Sequence, residues 1–138
     1  MASGSATSGP LRDPDSEVAV VIDGVSKHFG SVHALQGLNA HIRYGRLTGL
    51  VGPDGAGKTT LMRILTGLLA PNSGQATVAG FDVVDDNDAI HVATGYMPQR
   101  FGLYEDLSVM ENMRLYAQLR GMDAGRNTDL FAELLDFT

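Results

Sequence analysis

The 138-residue sequence contains no cysteine and no tryptophan, and only two of its residues are lysine. Without cysteine there is no disulfide framework, no thiolate metal site and no cysteine nucleophile, which fits an intracellular setting. No run of about 18 apolar residues occurs, so we expect no membrane-spanning helix. The amino terminus also lacks the basic and apolar regions of a secretory signal. These absences predict a soluble, cytoplasmic protein.

Positive charge is also scarce. Lys and Arg together number 10 against 16 Asp and Glu, which gives a net charge of −6 at pH 7. The field of such a chain repels nucleic acid, and no Lys/Arg cluster provides a local exception. We therefore predict no nucleic-acid partner. With 43% hydrophobic residues, the chain can form one core of ordinary size.

Glycine is abundant, and its most informative occurrence is a match to the phosphate-binding motif G-x-x-x-x-G-K-[ST]. The loop lies between an apolar run at residues 47–51, interpreted as a strand, and an amphipathic run at residues 61–69, interpreted as a helix. This order of strand, loop and helix is the context that the motif requires. The loop consists of Gly52, Pro53, Asp54, Gly55, Ala56, Gly57, Lys58, Thr59 and Thr60.

Each residue type in this loop has a physical role toward a polyphosphate. Gly52, Gly55 and Gly57 permit positive φ and a close approach of the backbone to the ligand. The helix that follows adds unpaired N–H groups at its positive end. Lys58 is expected to bridge the β- and γ-phosphates, and the Thr59 hydroxyl to coordinate Mg²⁺. The alternative is a glycine-rich turn that binds nothing, but the flanking pattern favours a nucleoside triphosphate.

The rest of the chain reads as alternating strands and helices after a disordered tail at residues 1–16. Residues 18–22 predict a strand that ends in a turn at Asp23-Gly24, and residues 38–43 predict its antiparallel partner. Further strands are expected at 75–78 and at 94–98, the last ending at Pro98 with Gln99 first in the loop beyond.

Two more helices are expected in the C-terminal part of the chain. Ser108 and Glu111 form a capping box that begins a helix running to Arg120, with Gly121 as its stop. Val109, Met113 and Tyr116 are expected to form the apolar stripe of this helix. A last helix is expected at residues 128–137.

Two residues have roles that position alone leaves open. Phe29, seen alone, is more often a core residue, but an exposed ring here could stack on a purine. Gln99 lies just beyond an expected strand, where it could reach Mg²⁺ and the γ-phosphate, or it could be an ordinary surface glutamine.

Taken together, these residues resemble the nucleotide-binding domain of an ATP-binding cassette (ABC) transporter. The resemblance covers residues 18–138 and depends on Lys27-His28-Phe29-Gly30, the loop at 52–60, Tyr96-Met97-Pro98-Gln99 and the segment at 103–112. The last segment is most similar to the multidrug-export branch. The implied fold class is α/β: a P-loop NTPase core with an N-terminal antiparallel β portion and the start of a helical subdomain, truncated.

The resemblance implies roles that spacing does not supply. Phe29 would stack on adenine, and Gln99 would act with Lys58 in catalysis by sensing the γ-phosphate and Mg²⁺. The segment between Gln99 and Asn112 would contact a transmembrane permease subunit, and a second cassette would close over the ATP. The full-length protein would hydrolyse ATP to drive export from the cytoplasmic face of the membrane.

The sequence departs from the family pattern in two respects. Asp54 stands where the family more often has asparagine, which adds a negative charge near the phosphates. The signature LSGGQ, the Walker B strand and the switch histidine are not found; Leu134-Leu135-Asp136 lies in a helical pattern and is not a Walker B strand. We therefore expect this partial domain, residues 17–138, to bind nucleotide but to be catalytically incomplete. The alternatives are a non-catalytic interaction module and a soluble ABC ATPase.

Overall fold

A computed structural model describes residues 17–99, 102–122 and 128–136. The chain divides into two compact units, Met1–Tyr96 and Met97–Thr138. The predicted tail at residues 1–16 lies outside the described residues. No helix within the described ranges is both long and apolar enough to cross a membrane.

The first unit is built on a four-stranded sheet. Strands β1 (Val18–Phe29) and β2 (Val32–Arg43) form a long antiparallel hairpin. Strands β3 (Ser73–Val78) and β4 (Phe81–Asp82) continue the sheet on the other side of β1, in the order β2-β1-β3-β4. The predicted antiparallel pair is confirmed, and both of its strands are longer than predicted.

The predicted turn at Asp23-Gly24 is wrong, because β1 continues through it. Gly24 has a φ of 60°, and the pairing with β2 shifts register between Ile22 and Val25. The Gly24 N–H donates to Asn39 Oδ1 at 2.9 Å. A bulge therefore accommodates the glycine while neighbouring strands on both sides keep β1 extended.

Two helices cover this sheet: α1 (Lys58–Leu65) and α2 (Asn87–Ala93). The helix predicted over residues 61–69 ends early, because Gly67 at φ 70° donates its N–H back to Ile64 O at 3.0 Å and turns the chain. The buried core draws on the sheet and both helices; its members are Ile22, Val25, Leu61, Ile64, Leu65, Ala76, Val83 and Ile90.

The strands predicted at 47–51 and 94–98 are absent from the described part of the chain. Leu47 is fully exposed, and Val51 and Met97 are 93% and 84% exposed. An apolar run becomes a strand only where another strand pairs with its backbone, and neither run is paired among residues 17–99. Both runs are apolar, as noted in the sequence, but the prediction that they pair as strands is wrong.

The second unit contains α3 (Val109–Leu119) and α4 (Thr128–Asp136). The capping box is confirmed, and Gly121 at φ 72° follows α3 as predicted. The predicted apolar stripe of α3 is wrong at Val109 and Tyr116, whose side chains are exposed, whereas Asn112 and Ala117 are buried.

Candidate functional site

The phosphate-binding motif forms a loop that leads directly into α1. Gly55 and Gly57 adopt left-handed conformations, with φ of 80° and 83°, and Gly57 is the N-cap of the helix. Gly52 does not have a positive φ, so the predicted positive φ is wrong at this position, while the close approach of its backbone to a ligand stays a prediction. These two left-handed residues, one on each side of Ala56, turn the loop over the start of the helix.

The N-terminus of α1 presents backbone N–H groups next to this loop. Leu61 N–H donates to Gly57 O at 2.9 Å, and the amides of Lys58, Thr59 and Thr60 precede that first helical bond. Gly57 offers no side-chain cap, and the first turn contains no acidic residue. The positive end of the helix dipole is therefore not neutralised from within α1, and the Thr59 side chain beside it is exposed.

Lys58 folds back over the loop that precedes it. Its Nζ donates to Gly52 O at 2.7 Å and to Pro53 O at 2.6 Å. Hydrogen bonds from a charged donor are stronger than neutral ones. Lys58 therefore fastens the first part of the loop to the first residue of the helix.

The hairpin contacts the loop at Gly57. A Cβ at this position would lie 2.3 Å from Ala34 O and 2.9 Å from Leu35 Cδ2. Real Cβ atoms do not approach backbone oxygens so closely, so the contact requires glycine as well as the positive φ. The backbone of β2 thus limits how closely the loop can approach the hairpin where it enters α1.

Phe29 lies at the end of β1, in the same hairpin, and its ring is 51% exposed. The core interpretation of this residue is therefore wrong. Lys27 Nζ lies 5.4 Å from the ring centroid. The structure thus provides an exposed aromatic ring on the hairpin that contacts the phosphate loop, while stacking on adenine stays a prediction.

Gln99 belongs to the second unit, where its side chain is exposed beyond Pro98. The first unit brings together the loop at 52–60 and, through the hairpin, Phe29. The predicted role of Gln99 at the γ-phosphate and Mg²⁺ stays a prediction.

Asn112 is a residue whose role the sequence did not reveal. It is 5% exposed, accepts from Tyr104 N–H at 2.9 Å and donates to Tyr104 O, Leu107 O and Ser108 O at 3.0 to 3.1 Å. A polar residue one turn after a helix N-cap, preceded by a loop, is a signal for such a contact. Asn112 organises the segment that was predicted to meet a membrane subunit.

Comparisons with known proteins place these features in a family. The model of the ABC transporter family matches residues 35–137. The chain is 52% identical over 125 residues to the probable multidrug ABC transporter ATP-binding protein YbhF of Escherichia coli, covering 89% of this chain and 22% of that protein. It is 37% identical to the daunorubicin resistance ATP-binding protein DrrA3 of Streptomyces coeruleorubidus, covering 88% of this chain and 38% of that protein.

The fold agrees with solved cassettes. A dimeric ATP-binding cassette bound to ADP and Pi is similar to this chain with a TM-score of 0.64 and 27% identity, covering 73% of this chain and 47% of that one. This likeness confirms the predicted α/β P-loop cassette fold. The chain spans well under half the length of the two curated relatives. The chain belongs to the ABC transporter family of ATP-binding proteins.

Proposed function

We propose that this chain supplies the nucleotide-binding part of an ABC exporter, in which ATP binding and hydrolysis drive transport through a membrane partner. The observation that carries the proposal is the loop itself: two left-handed glycines, then Lys58 at the first position of α1. A glycine loop that leads into a helix N-terminus favours a polyphosphate, because both offer backbone N–H groups to an anion. The names of YbhF and DrrA3 support a multidrug-type exporter.

The residues present also fit Mg²⁺ as the cofactor. Mg²⁺ prefers oxygen ligands and keeps several waters, so one protein hydroxyl and the phosphates suffice. The Thr59 side chain is exposed at the start of α1, beside the loop. When bound, Mg²⁺ supplies neutralisation of the charge that develops on the phosphates.

Lys58 is the residue that must change partners when a nucleotide binds. Its ammonium would exchange Gly52 O and Pro53 O for phosphate oxygens, and the phosphates would then hold the loop from inside. Phosphoryl transfer depends mainly on positioning and charge stabilisation, which Lys58 and the loop amides provide. Phe29 would hold the base, and Gln99 would sense the γ-phosphate and the metal.

The segment between Gln99 and Asn112 is our candidate for the contact with the permease subunit. Leu103 and Tyr104 are 54% and 56% exposed, although Tyr104 is fixed at its backbone by Asn112. A rigid backbone that presents apolar side chains loses little entropy on docking. Such an assembly would place the chain on the cytoplasmic face of the membrane, with a second cassette opposite the ATP.

We further propose that this chain alone binds nucleotide with little turnover. The sequence contains no LSGGQ signature, and Leu134-Leu135-Asp136 lies in helix α4 rather than in a strand. In the family, the general base follows Walker B and the signature comes from the second cassette. Both would have to come from elsewhere for steady hydrolysis.

The test is ATP binding by isothermal titration calorimetry, together with phosphate release, in the wild-type chain, Lys58→Ala and Arg43→Ala. Arg43 is a matched control, because its exposed side chain pairs with Glu17 on the surface at 3.2 Å, outside the loop. We expect Lys58→Ala to weaken ATP binding about tenfold to hundredfold, the loss of a charge-assisted contact, and Arg43→Ala to leave it unchanged. Equal affinities of all three would contradict nucleotide binding at this loop, and Lys58-dependent turnover would contradict catalytic incompleteness.

A second candidate is a non-catalytic module that docks on a membrane partner or on a complete cassette. The exposed side chains of Leu103 and Tyr104 favour it. Co-purification of the partner that survives Lys58→Ala, in a chain that does not bind ATP, would support this candidate over the first.

A further inference from the structure

Lys27 makes two contacts that its sequence motif does not explain. Its Nζ donates to Ala70 O at 2.8 Å and lies 5.4 Å from the centroid of the Phe29 ring. Lys27 is half-buried, while Phe29 beside it is 51% exposed. The cation is thus held next to the ring by a backbone carbonyl that comes from beyond helix α1.

That carbonyl is itself fixed to strand β1. Asn72 N–H donates to Ser26 O at 2.8 Å, and His28 N–H donates to Asn72 Oδ1 at 2.8 Å. These two bonds lie on either side of Lys27 in the strand. These hydrogen bonds hold the segment at residues 70–72 against β1. They therefore fix the position of the Ala70 oxygen relative to the strand that carries Phe29.

We propose that Lys27 is a positioning residue for base binding, which holds the Phe29 ring so that one face stays open to the purine. The proposal rests on the nucleotide binding proposed above. A cation over an aromatic face is attracted by the ring quadrupole and occupies that face. Without the Lys27 cation, the exposed ring would adopt more orientations. Stacking on the purine would then cost more conformational entropy.

This arrangement predicts that Lys27 contributes to binding of the base and not of the phosphates. Stacking on an aromatic ring acts on the base alone. The phosphate loop has its own lysine, Lys58, bonded to Gly52 O and Pro53 O. ATP and inorganic tripolyphosphate should therefore respond differently to a change at Lys27.

The test compares ATP with tripolyphosphate by calorimetry in the wild-type chain and Lys27→Met, which keeps the length of the side chain without its charge. We expect ATP affinity to fall about twofold to fivefold, the range for a cation–π contact at an exposed site, with tripolyphosphate affinity unchanged. Lys27→Arg, which retains a cation and a donor, should keep most of the ATP affinity. Thermal unfolding of each variant checks that the hairpin is intact.

A double-mutant cycle keeps the test independent of any loss of stability in Lys27→Met. If Lys27 acts through the ring, Lys27→Met should have no further effect on ATP affinity in a Phe29→Leu background. An equal loss in both backgrounds, or an equal loss for ATP and tripolyphosphate, would overturn the inference. Failure of the wild-type chain to bind tripolyphosphate would instead overturn the proposed function, and the inference with it.

Discussion

Asn112 and Tyr104 are joined by a reciprocal pair of hydrogen bonds. Tyr104 N–H donates to Asn112 Oδ1 at 2.9 Å, and Asn112 Nδ2 donates to Tyr104 O at 3.0 Å. The same amide group also bonds Leu107 O and Ser108 O, both at 3.1 Å. A single buried side chain therefore bonds one N–H and shares its two amide hydrogens among three carbonyls, which binds the loop at 104–108 to the first turn of α3.

Replacement of Asn112 should destabilise the second unit. Asn112→Ala removes the buried amide together with its bonds to Tyr104 N–H and Leu107 O, and we expect a loss of about 1–3 kcal/mol in the free energy of unfolding. Asn112→Asp should also be destabilising, because a carboxylate can accept from Tyr104 N–H but cannot donate to the three carbonyls. Urea unfolding measures both, and hydrogen exchange should show faster exchange at Tyr104.

Gln118→Ala is the control for this prediction, since Gln118 is exposed on the same helix. It should change the free energy of unfolding by no more than about 0.5 kcal/mol. If Asn112→Ala were as mild as Gln118→Ala, the loop would not depend on the buried amide.

Gly57 and Gly55 allow the cost of the hairpin contact to be separated from the cost of a left-handed backbone. Both have φ near 80°, but a Cβ at Gly57 meets Ala34 O at 2.3 Å, whereas nothing lies within 4 Å of one at Gly55. Gly55→Ala should lose about 1–2 kcal/mol from strain alone. Gly57→Ala should lose more, because the β2 backbone must also move. Thermal unfolding of the two variants decides the order, and equal losses would show that the loop moves away from β2 without penalty.

The capping box makes the stability of α3 dependent on pH. The hydroxyl of Ser108 and then its backbone N–H lower the pKa of Glu111 in the folded chain. A lowered pKa contributes stability above the unfolded value, and that contribution is lost as pH falls through the folded value. The stability difference between the wild-type chain and Ser108→Ala should therefore shrink on acidification below the ordinary range of glutamate.

Urea unfolding of both chains from neutral to acidic pH measures this difference. Other carboxylates affect both chains alike and cancel in the comparison. A difference that stays constant or grows toward acidic pH would contradict the contribution of the ionised Glu111.

Asp54 places a negative charge in the phosphate loop, and its side chain is exposed. Like charges a few ångströms apart in water repel by about 1 kcal/mol or less, so we expect Asp54→Asn to raise ATP affinity about twofold to fivefold. Calorimetry at low ionic strength should show it best, because salt screens the repulsion. Asp85→Asn, an exposed carboxylate outside the loop, should have no effect. An unchanged or lower affinity of Asp54→Asn would refute the repulsion.

Features that depend on a few neighbouring residues were predicted from the sequence. The capping box from Ser108 to Glu111, the stop at Gly121 and the loop that enters α1 all appear in the structure. Their hydrogen bonds join residues within one or two turns of each other, so residue type and spacing are sufficient.

Features that depend on partners far away in the sequence were not predicted. The apolar run at 47–51 has the composition of a strand, but no strand pairs with it among the described residues. Conversely, β1 passes through Asp23-Gly24, a typical turn dipeptide, because β2 and β3 pair with it on both sides. Strand formation is decided by backbone partners far away in the sequence, which local patterns do not contain.

The sequence by itself determined the family, the phosphate loop and the order of its chemical groups, because the motif is contiguous. Only the tertiary structure decided that Phe29 is exposed with Lys27 beside it, since that pair depends on the Ala70 carbonyl beyond α1. Only the structure showed that Gly57 contacts β2 and that Asn112 is buried and bonded to the Tyr104 backbone. These contacts arise when the chain folds back on itself, which brings together residues that no local pattern connects.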